Sequence, residues 1–286
     1  MAGRPHVSTA SPCYGRLGDT PSRDYAEKLQ LFNAMAEPEL REAIASLHLA
    51  PGMRVLDAGC GTGEPLRWLA SAIAPGGLAL GLDLSMSHLR RAQQQLADNT
   101  VLLQADLQRV PLSGASFDLV WSVNTMNHLA DPCASLRVLA ALLRPGGHLA
   151  LGQSSFLPDM YFAWDARLER LTNEAVRAYY RARYRLSEED LTSVRGITGL
   201  LRAAGFSSPA VHTVVIERCA PLDEPTRRWL LEVIFRGTWG ERLRPYLPAA
   251  DYAELNELCD PQHPRFALQR PDFHFLQTFT LAVGTA

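Results

Sequence analysis

Three glycines at alternate positions, Gly59, Gly61 and Gly63, stand in the segment VLDAGCGTGEP (55–65), between an apolar run and an amphipathic stretch. Glycine suits positions where the backbone passes close to a ligand or adopts a positive φ. A loop that leads into a helix N-terminus also presents free N–H groups and a partial positive charge. The segment therefore predicts a loop that binds the carboxylate of an amino-acid ligand. A plain tight turn between strand and helix is the alternative.

The glycine loop departs from two known phosphate-binding patterns. The dinucleotide fingerprint needs a third glycine three residues after its second, where this chain has Glu64 and then Pro65. A P-loop needs Gly-Lys followed by Ser or Thr, and that does not follow here. The segment therefore favours neither a dinucleotide site nor a P-loop.

Two aspartates come at the ends of the next two apolar runs. Asp83 ends LALGLDL, and Asp106 ends VLLQAD. A carboxylate at the first position suits the two ribose hydroxyls of a nucleoside. One at the second could accept a hydrogen bond from the adenine amine, with the backbone of Leu107 beside the ring. Either aspartate alone could be a polar strand end, but the pair, following a glycine loop, predicts a nucleoside site.

The elements that must position these residues alternate regularly from residue 51 to residue 153. Short apolar runs are separated by amphipathic stretches, a pattern that predicts parallel strands joined by helices on both faces of an α/β sheet. Residues 24–48 are predicted to be helical because their apolar positions share one face. The predicted strands are MRVLDAG, LALGLDL, VLLQAD, FDLVWSV, HLALGQ, AVHTVVIERC and FHFLQTFTLAVG.

Taken together, these motifs resemble the class I S-adenosylmethionine (SAM)-dependent methyltransferases, in particular the small-molecule group that includes ubiquinone and menaquinone biosynthesis enzymes. The resemblance implies a doubly wound seven-stranded sheet in the order 3-2-1-4-5-7-6, with strand 7 antiparallel. Helical insertions are expected after strand 5 and between strands 6 and 7. The matching segments are VLDAGCGTG (55–63), GLDLS (81–85), QADLQRVPL (104–112), FDLVWSVNTMNHL (117–129) and LLRPGGHLAL (142–151).

The resemblance also implies that the cofactor is SAM and that the product is S-adenosylhomocysteine. It places the glycine loop, with Asp57, at the methionine part of the cofactor, and Ser122 near that part and the reacting methyl group. Asp83 would bind the ribose and Asp106 the adenine. The residues expected to bind the cofactor are Asp57, Gly59, Gly61, Gly63, Asp83, Leu84, Asp106, Leu107 and Ser122.

A base is needed only if the acceptor must lose a proton. His128, just past the fourth predicted strand, is the candidate base, although it could instead cap its loop or pack on the methionine tail. His274 is a weaker candidate, for which a structural role is favoured. No metal site is expected, since no cluster of Asp, Asn and His demands Mg²⁺ or Zn²⁺.

The chain is predicted to divide into a flexible tail (1–22), a SAM-binding core (23–155), an aromatic helical lid (156–190) and the rest of the core (191–286), with a helical insertion at about 224–260. An apolar wall suits a small, partly aromatic or lipophilic acceptor. Ordinary helix packing is the alternative for each aromatic residue. The residues expected in the lid are Tyr161, Trp164, Tyr180 and Tyr184.

Composition limits the class of protein. The net charge of −2 and the pI near 6.4 lack the basic footprint of a nucleic-acid binder. None of the five cysteines forms a C-x-x-C pair, which indicates a reducing compartment. The sequence contains no run of ~18 apolar residues, so it predicts no membrane-spanning helix. A soluble cytoplasmic protein, monomeric or homodimeric, is expected.

The predicted function is methyl transfer from SAM to oxygen, nitrogen or carbon of a small-molecule acceptor, in secondary or cofactor metabolism. One alternative is a protein of the same fold that binds SAM without methyl transfer, as a cyclase or a SAM-sensing module. A nucleic-acid or protein methyltransferase is disfavoured, because VNTMNH (123–128) stands where an N/D-P-P-Y/F motif would follow strand 4.

Overall fold

The sheet at the centre of the computed structural model explains the alternation of apolar runs. The structure describes residue 17 and residues 24–155, 161–162, 165–187, 193–206 and 208–286. The strands are β1 (Arg54–Ala58), β2 (Leu78–Asp83), β3 (Thr100–Gln104), β4 (Phe117–Val123), β5 (Leu143–Ser154), β6 (Tyr161–Phe162), β7 (Ala210–Cys219) and β8 (His274–Thr285).

The strand order is β3-β2-β1-β4-β5-β8-β7. Strands β1 to β5 are parallel, whereas β8 is antiparallel to both β5 and β7. This confirms the predicted order, with β7 and β8 as the sixth and seventh strands of that scheme. The two-residue strand β6 was not among the seven predicted strands. Because β7 pairs with one edge of β8 along most of its length, β6 pairs with the other edge, next to β5.

Helices cover both faces of the sheet. Asp131, Asp165 and Asp223 begin three of them by accepting a backbone N–H three residues ahead, at 2.8–2.9 Å. The α-helices are α1 (Ala26–Met35), α2 (Glu37–Ala45), α3 (Glu64–Ala72), α4 (Met86–Ala92), α5 (Pro132–Ala140), α6 (Ala166–Tyr184), α7 (Ser193–Ala203), α8 (Glu224–Arg228), α9 (Gly240–Leu243) and α10 (Ala249–Cys259).

Two helical segments differ from a single regular α-helix. The helical stretch predicted over 24–48 is two helices that meet at Ala36, with Pro38 in the first turn of α2. Residues Trp229–Trp239 form a π-helix between α8 and α9. Its buried side chains lie at spacings of three, four and five residues, so their pattern does not by itself select the wider π winding. They include Trp229, Ile234 and Trp239, then Leu230 and Phe235, then Val233 and Thr238.

The core has one cluster on each face of the sheet, because alternate strand residues point to opposite faces. Along β8, Phe275, Phe279 and Leu281 belong to one cluster and Ala282 to the other. The first cluster also contains residues of α1, α2, α3, α6 and the π-helix, and the second contains residues of α5 and α7. Both helical insertions therefore pack on the face that also carries α1.

The structure places helices where both insertions were expected, which confirms that part of the fold prediction. The division of the chain into tail, core and lid stays a prediction. Residues 1–22 lie outside the described residues except for Leu17, as do 156–160, 163–164 and 188–190 within the predicted lid. Within the described part of the chain, no helix is both long and apolar enough to cross a lipid bilayer.

Candidate functional site

The glycine loop connects β1 to α3 at the carboxyl edge of the parallel strands. Gly59, Gly61 and Gly63 have φ values of +88°, +52° and +89°, in the region that glycine tolerates best. A Cβ atom on Gly59 would lie 2.7 Å from the Cγ2 atom of Thr125, and one on Gly61 would lie 2.9 Å from the Cδ1 atom of Leu29. Backbone conformation and close approach thus both require glycine here.

Asp83, the last residue of β2, holds the glycine loop in place. Its Oδ2 accepts the N–H of Gly61 at 2.9 Å, and its Oδ1 accepts the N–H of Ser85 at 2.8 Å. The carbonyl of Leu82 accepts the N–H groups of Gly59 and Cys60, at 2.7 and 2.9 Å. The carboxylate expected to bind a ribose therefore also joins the loop to the start of α4.

His88 on α4 lies beside that carboxylate and was not found from the sequence. Its side chain is buried, and its Nδ1 is 3.3 Å from Oδ1 of Asp83. Its Nε2 accepts the N–H of Tyr25 at 3.4 Å. Tyr25 lies 63 residues earlier in the chain, so no local pattern predicts this contact.

Asp57, near the end of β1, is buried, and its Oδ2 has no hydrogen-bond partner among the described residues. Burial, and then the negative charges of Asp83 and Glu64, raise the pKa of this carboxyl well above its usual range. A buried acceptor without a partner is costly. A cationic group placed at Oδ2 would supply both the missing hydrogen bond and the missing charge. The ammonium group of an amino acid fits this position.

Glu64, the first residue of α3, joins the loop to two other elements. Its Oε2 accepts from the hydroxyl of Thr62 at 2.6 Å and from Nδ2 of Asn33 on α1 at 2.8 Å. Its Oε1 accepts from Nε2 of Gln95 at 2.9 Å. A carboxylate at a helix N-terminus is also favoured by the helix dipole. These bonds hold α1 against the glycine loop.

The residues expected at the adenine lie at the neighbouring strand ends. Asp83 is directly paired with Gln104, so Asp106 follows on the same edge of the sheet. Oδ1 of Asp106 accepts the N–H of Gln108 at 2.9 Å, and the side chain of Leu107 is buried. The carbonyl of Leu84 accepts Nε2 of Gln104 at 3.0 Å. Their roles toward a cofactor stay predictions.

Ser122 and His128 sit at the end of β4 in different surroundings. The hydroxyl of Ser122 is buried and donates to the carbonyl of Ala58 at 2.7 Å, so it links β4 to β1. His128 is half-buried in a 3₁₀ turn, Met126–His128. The ring of Tyr25 stacks on His128 with centroids 6.0 Å apart and meets His88 edge-on at 4.7 Å. The start of α1 thus contacts both histidines at this edge.

The predicted lid residues are only partly described. Tyr161 lies in β6 and its side chain is outside the described residues, as is all of Trp164. Tyr180 and Tyr184 are half-buried on α6, with ring centroids 5.6 Å apart. Tyr179 joins Tyr180 to Tyr246 of the second insertion through edge-on contacts of 5.5 and 6.3 Å. The α6 aromatics thus form a chain of rings that joins the two insertions, and their role as a lid stays a prediction.

Residues 56–151 match the family model of the methyltransferase domain. The chain is 37% identical over 118 residues to the 27-O-demethylrifamycin SV methyltransferase of Amycolatopsis mediterranei, which covers 40% of this chain and 43% of that protein. It is 40% identical over 119 residues to the malonyl-[acyl-carrier protein] O-methyltransferase of Pseudescherichia vulneris, covering 41% and 46%. The matches to the first curated relatives span less than half of their own length.

A longer match, 28% identical over 267 residues, is to the trans-aconitate 2-methyltransferase of Deinococcus radiodurans, covering 90% of this chain and 95% of that protein. Among solved structures, the YcgJ protein of Bacillus subtilis has a TM-score of 0.53 at 18% identity, covering 87% of this chain and 98% of that one. A SAM-dependent methyltransferase from Aquifex aeolicus has a TM-score of 0.50 at 19% identity, covering 66% and 92%. The solved structures show a shared fold.

Proposed function

We propose that this chain, whose residues 56–151 match the methyltransferase domain model, is a class I SAM-dependent methyltransferase that transfers a methyl group to an oxygen atom of a small-molecule acceptor. The observation that carries the proposal is the Oδ2 atom of Asp57, buried without a hydrogen-bond partner among the described residues, beside a glycine loop that Asp83 fixes. A buried carboxyl oxygen without a hydrogen-bond partner among the described residues, next to a glycine loop, suits the ammonium group at the amino-acid end of SAM, the cofactor of the family.

The chain's own residues would hold the cofactor as follows. Asp57 would accept hydrogen bonds from the methionine ammonium group. Because the N–H groups of Gly59 and Gly61 already donate within the protein, the carboxylate would be held by the dipole at the N-terminus of α3. Asp83 would bind the ribose hydroxyls, with Leu84 beside it, and Asp106 the adenine amine, with Leu107 beside the ring. When bound, SAM supplies an electrophilic methyl group on a sulfonium centre.

The protein then has to align the acceptor and exclude water. Alignment alone can supply roughly 7–11 kcal/mol of the acceleration in well-oriented systems. Where the acceptor is a hydroxyl, His128 would take its proton, since His128 stands at the carboxyl end of β4 on the cofactor edge. Where the acceptor is a carboxylate, no proton has to leave. The aromatic α6 and the second insertion would close the acceptor side.

Two relatives support oxygen as the acceptor atom, because their printed names specify O-methylation of rifamycin-type and malonyl substrates. A role in secondary or cofactor metabolism stays a prediction. The alternative of SAM binding without methyl transfer gains no support, because the curated relatives described above are named for methyl transfer. The predictions of a cytoplasmic monomer or homodimer without a nucleic-acid partner stay predictions.

The proposal is tested with SAM labelled in its methyl group. Purified protein is mixed with labelled SAM and with panels of small hydroxyl and carboxyl compounds, and S-adenosylhomocysteine and labelled product are measured. Mild alkali releases the label from a methyl ester as volatile methanol but leaves a methyl ether intact, so the acceptor oxygen is identified directly. Protein that binds neither SAM nor S-adenosylhomocysteine would refute the proposal. A labelled product with nitrogen or carbon as the acceptor would correct the acceptor atom.

A further inference from the structure

Three side chains with metal-binding atoms lie close together at one end of the β7–β8 pair. All three are more than 150 residues from the glycine loop in sequence. They are Glu217, Cys219 and His274, and one ligand atom of each lies within 4.8 Å of the other two. Nε2 of His274 is 2.8 Å from Oε1 of Glu217. We propose that these three residues bind Zn²⁺.

The strand register creates this cluster. Cys219 is directly paired with His274 in the antiparallel β7–β8 ladder, and Glu217 lies two residues before Cys219. Residues two apart in a strand share a face, so all three side chains stand on the same side. Residues 220–273, which contain the second insertion, separate Cys219 from His274 in sequence, so no ligand spacing such as C-x-x-C is visible.

Arg218, which lies between Glu217 and Cys219 in β7, does not place its positive charge at the proposed metal site. Arg218 points to the other face of the strand, where its guanidinium donates to both carboxylate oxygens of Glu39, at 2.6 and 2.9 Å. It also donates to the carbonyl of Met35. Its positive charge is thus neutralised away from the cluster, and the negative charge of Glu217 remains available on the opposite face.

The donor atoms select the metal. Zn²⁺ takes thiolate, imidazole and carboxylate ligands in tetrahedral geometry, and three protein ligands leave the fourth position for water. Mg²⁺ and Ca²⁺ prefer oxygen ligands alone. Cys219 is exposed to solvent, whereas Cys60 is buried and Cys133 and Cys259 are half-exposed. Among the described cysteines, Cys219 is therefore the one most open to an entering ion.

A bound ion would connect Cys219 to His274, the residues on either side of the segment 220–273 that contains the second insertion. The N–H of Ala220 donates to the carbonyl of Phe273 at 3.0 Å, immediately beyond the Cys219–His274 pair. The ion would add a cross-link at the point where the chain leaves and re-enters the sheet. Because a ligand that binds only the folded state stabilises it, Zn²⁺ should raise the melting temperature.

The experiment uses the full chain after treatment with a chelator and removal of that chelator. Zn²⁺ is titrated against a chromogenic indicator, and Co²⁺ replaces it as a spectroscopic probe, because a cobalt–thiolate bond produces a near-ultraviolet charge-transfer band. We expect one ion per chain, the charge-transfer band, and a rise in Tm with Zn²⁺. Cys219→Ser should abolish the band, and Glu217→Gln and His274→Gln should each raise the Kd for Zn²⁺ at least ~10-fold, since loss of an outer partner alone costs that much.

Two variants serve as matched controls. Cys133→Ser removes a half-exposed cysteine on α5, and His212→Gln removes an exposed histidine on β7. Both should keep the band, the Kd and the Tm shift. Retention of the band in Cys219→Ser, its loss in Cys133→Ser, or failure of the unmodified chain to bind Zn²⁺ would overturn the proposal. SAM binding is measured in parallel and should be the same in all five variants, so the metal site and the proposed methyl transfer can fail independently.

Discussion

Replacing Asp57 with asparagine tests the methionine end of the proposed cofactor site. Asparagine keeps the size and one acceptor oxygen of aspartate but removes the charge. Asp57 is 2% exposed, and its Oδ2 has no partner among the described residues, so the change removes little from the protein's own hydrogen bonding. Any loss of cofactor affinity can therefore be assigned to the cofactor's ammonium group.

The size of the effect follows from the type of bond lost. A hydrogen bond to a charged group contributes about 1.5–3 kcal/mol. This corresponds to a weakening of SAM binding of roughly tenfold to over a hundredfold. Because the remaining amide oxygen of asparagine still accepts one hydrogen bond, we expect a value near the lower end, about tenfold.

Calorimetry with two ligands isolates the interaction. SAM carries the amino-acid group, whereas 5′-methylthioadenosine keeps the adenosine and sulfur but lacks it. Asp57→Asn should weaken SAM and leave 5′-methylthioadenosine unchanged. Asp98→Asn, which removes the same charge from an exposed turn, should change neither affinity. Equal weakening of both ligands, or unchanged SAM affinity, would refute the assignment of Asp57 to the ammonium group.

The same variant should change the pH dependence of stability. The pKa of Asp57 is raised in the folded protein, chiefly by burial, so the protonated form favours folding. This contribution is complete below the ordinary pKa of an aspartate and is lost as pH rises through the raised folded pKa. The asparagine side chain of the variant does not titrate. The ligand-free variant should therefore gain stability relative to the unmodified chain as pH increases, which denaturant unfolding at several pH values would measure.

Three further substitutions probe the rest of the site. Asp83→Ala should weaken 5′-methylthioadenosine by about 1.5–3 kcal/mol, because it removes bonds to the ribose, and should weaken SAM at least as much, because Asp83 also holds the glycine loop through Gly61. Calorimetry showing no loss for 5′-methylthioadenosine would contradict the ribose assignment. Gly59→Ala should lower the free energy of unfolding by about 1–3 kcal/mol, since it forces φ +88° on alanine and meets Thr125; chemical denaturation measures this. His128→Ala should lower kcat by about 10²–10⁴-fold with a hydroxyl acceptor and hardly change SAM affinity; full kcat across the pH range would exclude His128 as a base.

Local patterns predicted the parts of the molecule that depend on neighbouring residues. The glycine loop, Asp83 and Asp106 each come at the end of an apolar run. Because parallel strands have their carboxyl ends at one edge of the sheet, this spacing predicts that all three lie at the same edge. The strand order came from the family resemblance. Asp57 was assigned to the methionine end on the same basis, but only the structure shows that its Oδ2 is buried without a hydrogen-bond partner among the described residues.

The remaining features depend on contacts between distant parts of the chain. His88 lies in an ordinary helix, and its meeting with Tyr25 requires α1 to fold over α4. The π-helix Trp229–Trp239 has apolar residues at several helical spacings, which predict a helix but do not specify how it is wound. The cluster that contains Cys219 arises from the register of two strands separated by an insertion. Such features follow from tertiary packing, which overrides local preference.

The position of β8 between β5 and β7 affects how the chain can acquire its structure during translation. β7 is hydrogen-bonded to the sheet only through β8 within the described residues, yet β8 is made after the whole second insertion. Ribosomes add about 5–20 residues per second, so β7 waits for several seconds with both edges open. An unpaired strand edge is a template for aggregation. The nascent protein therefore passes through a vulnerable interval that ends only when residues 274–285 leave the ribosome and insert between β5 and β7.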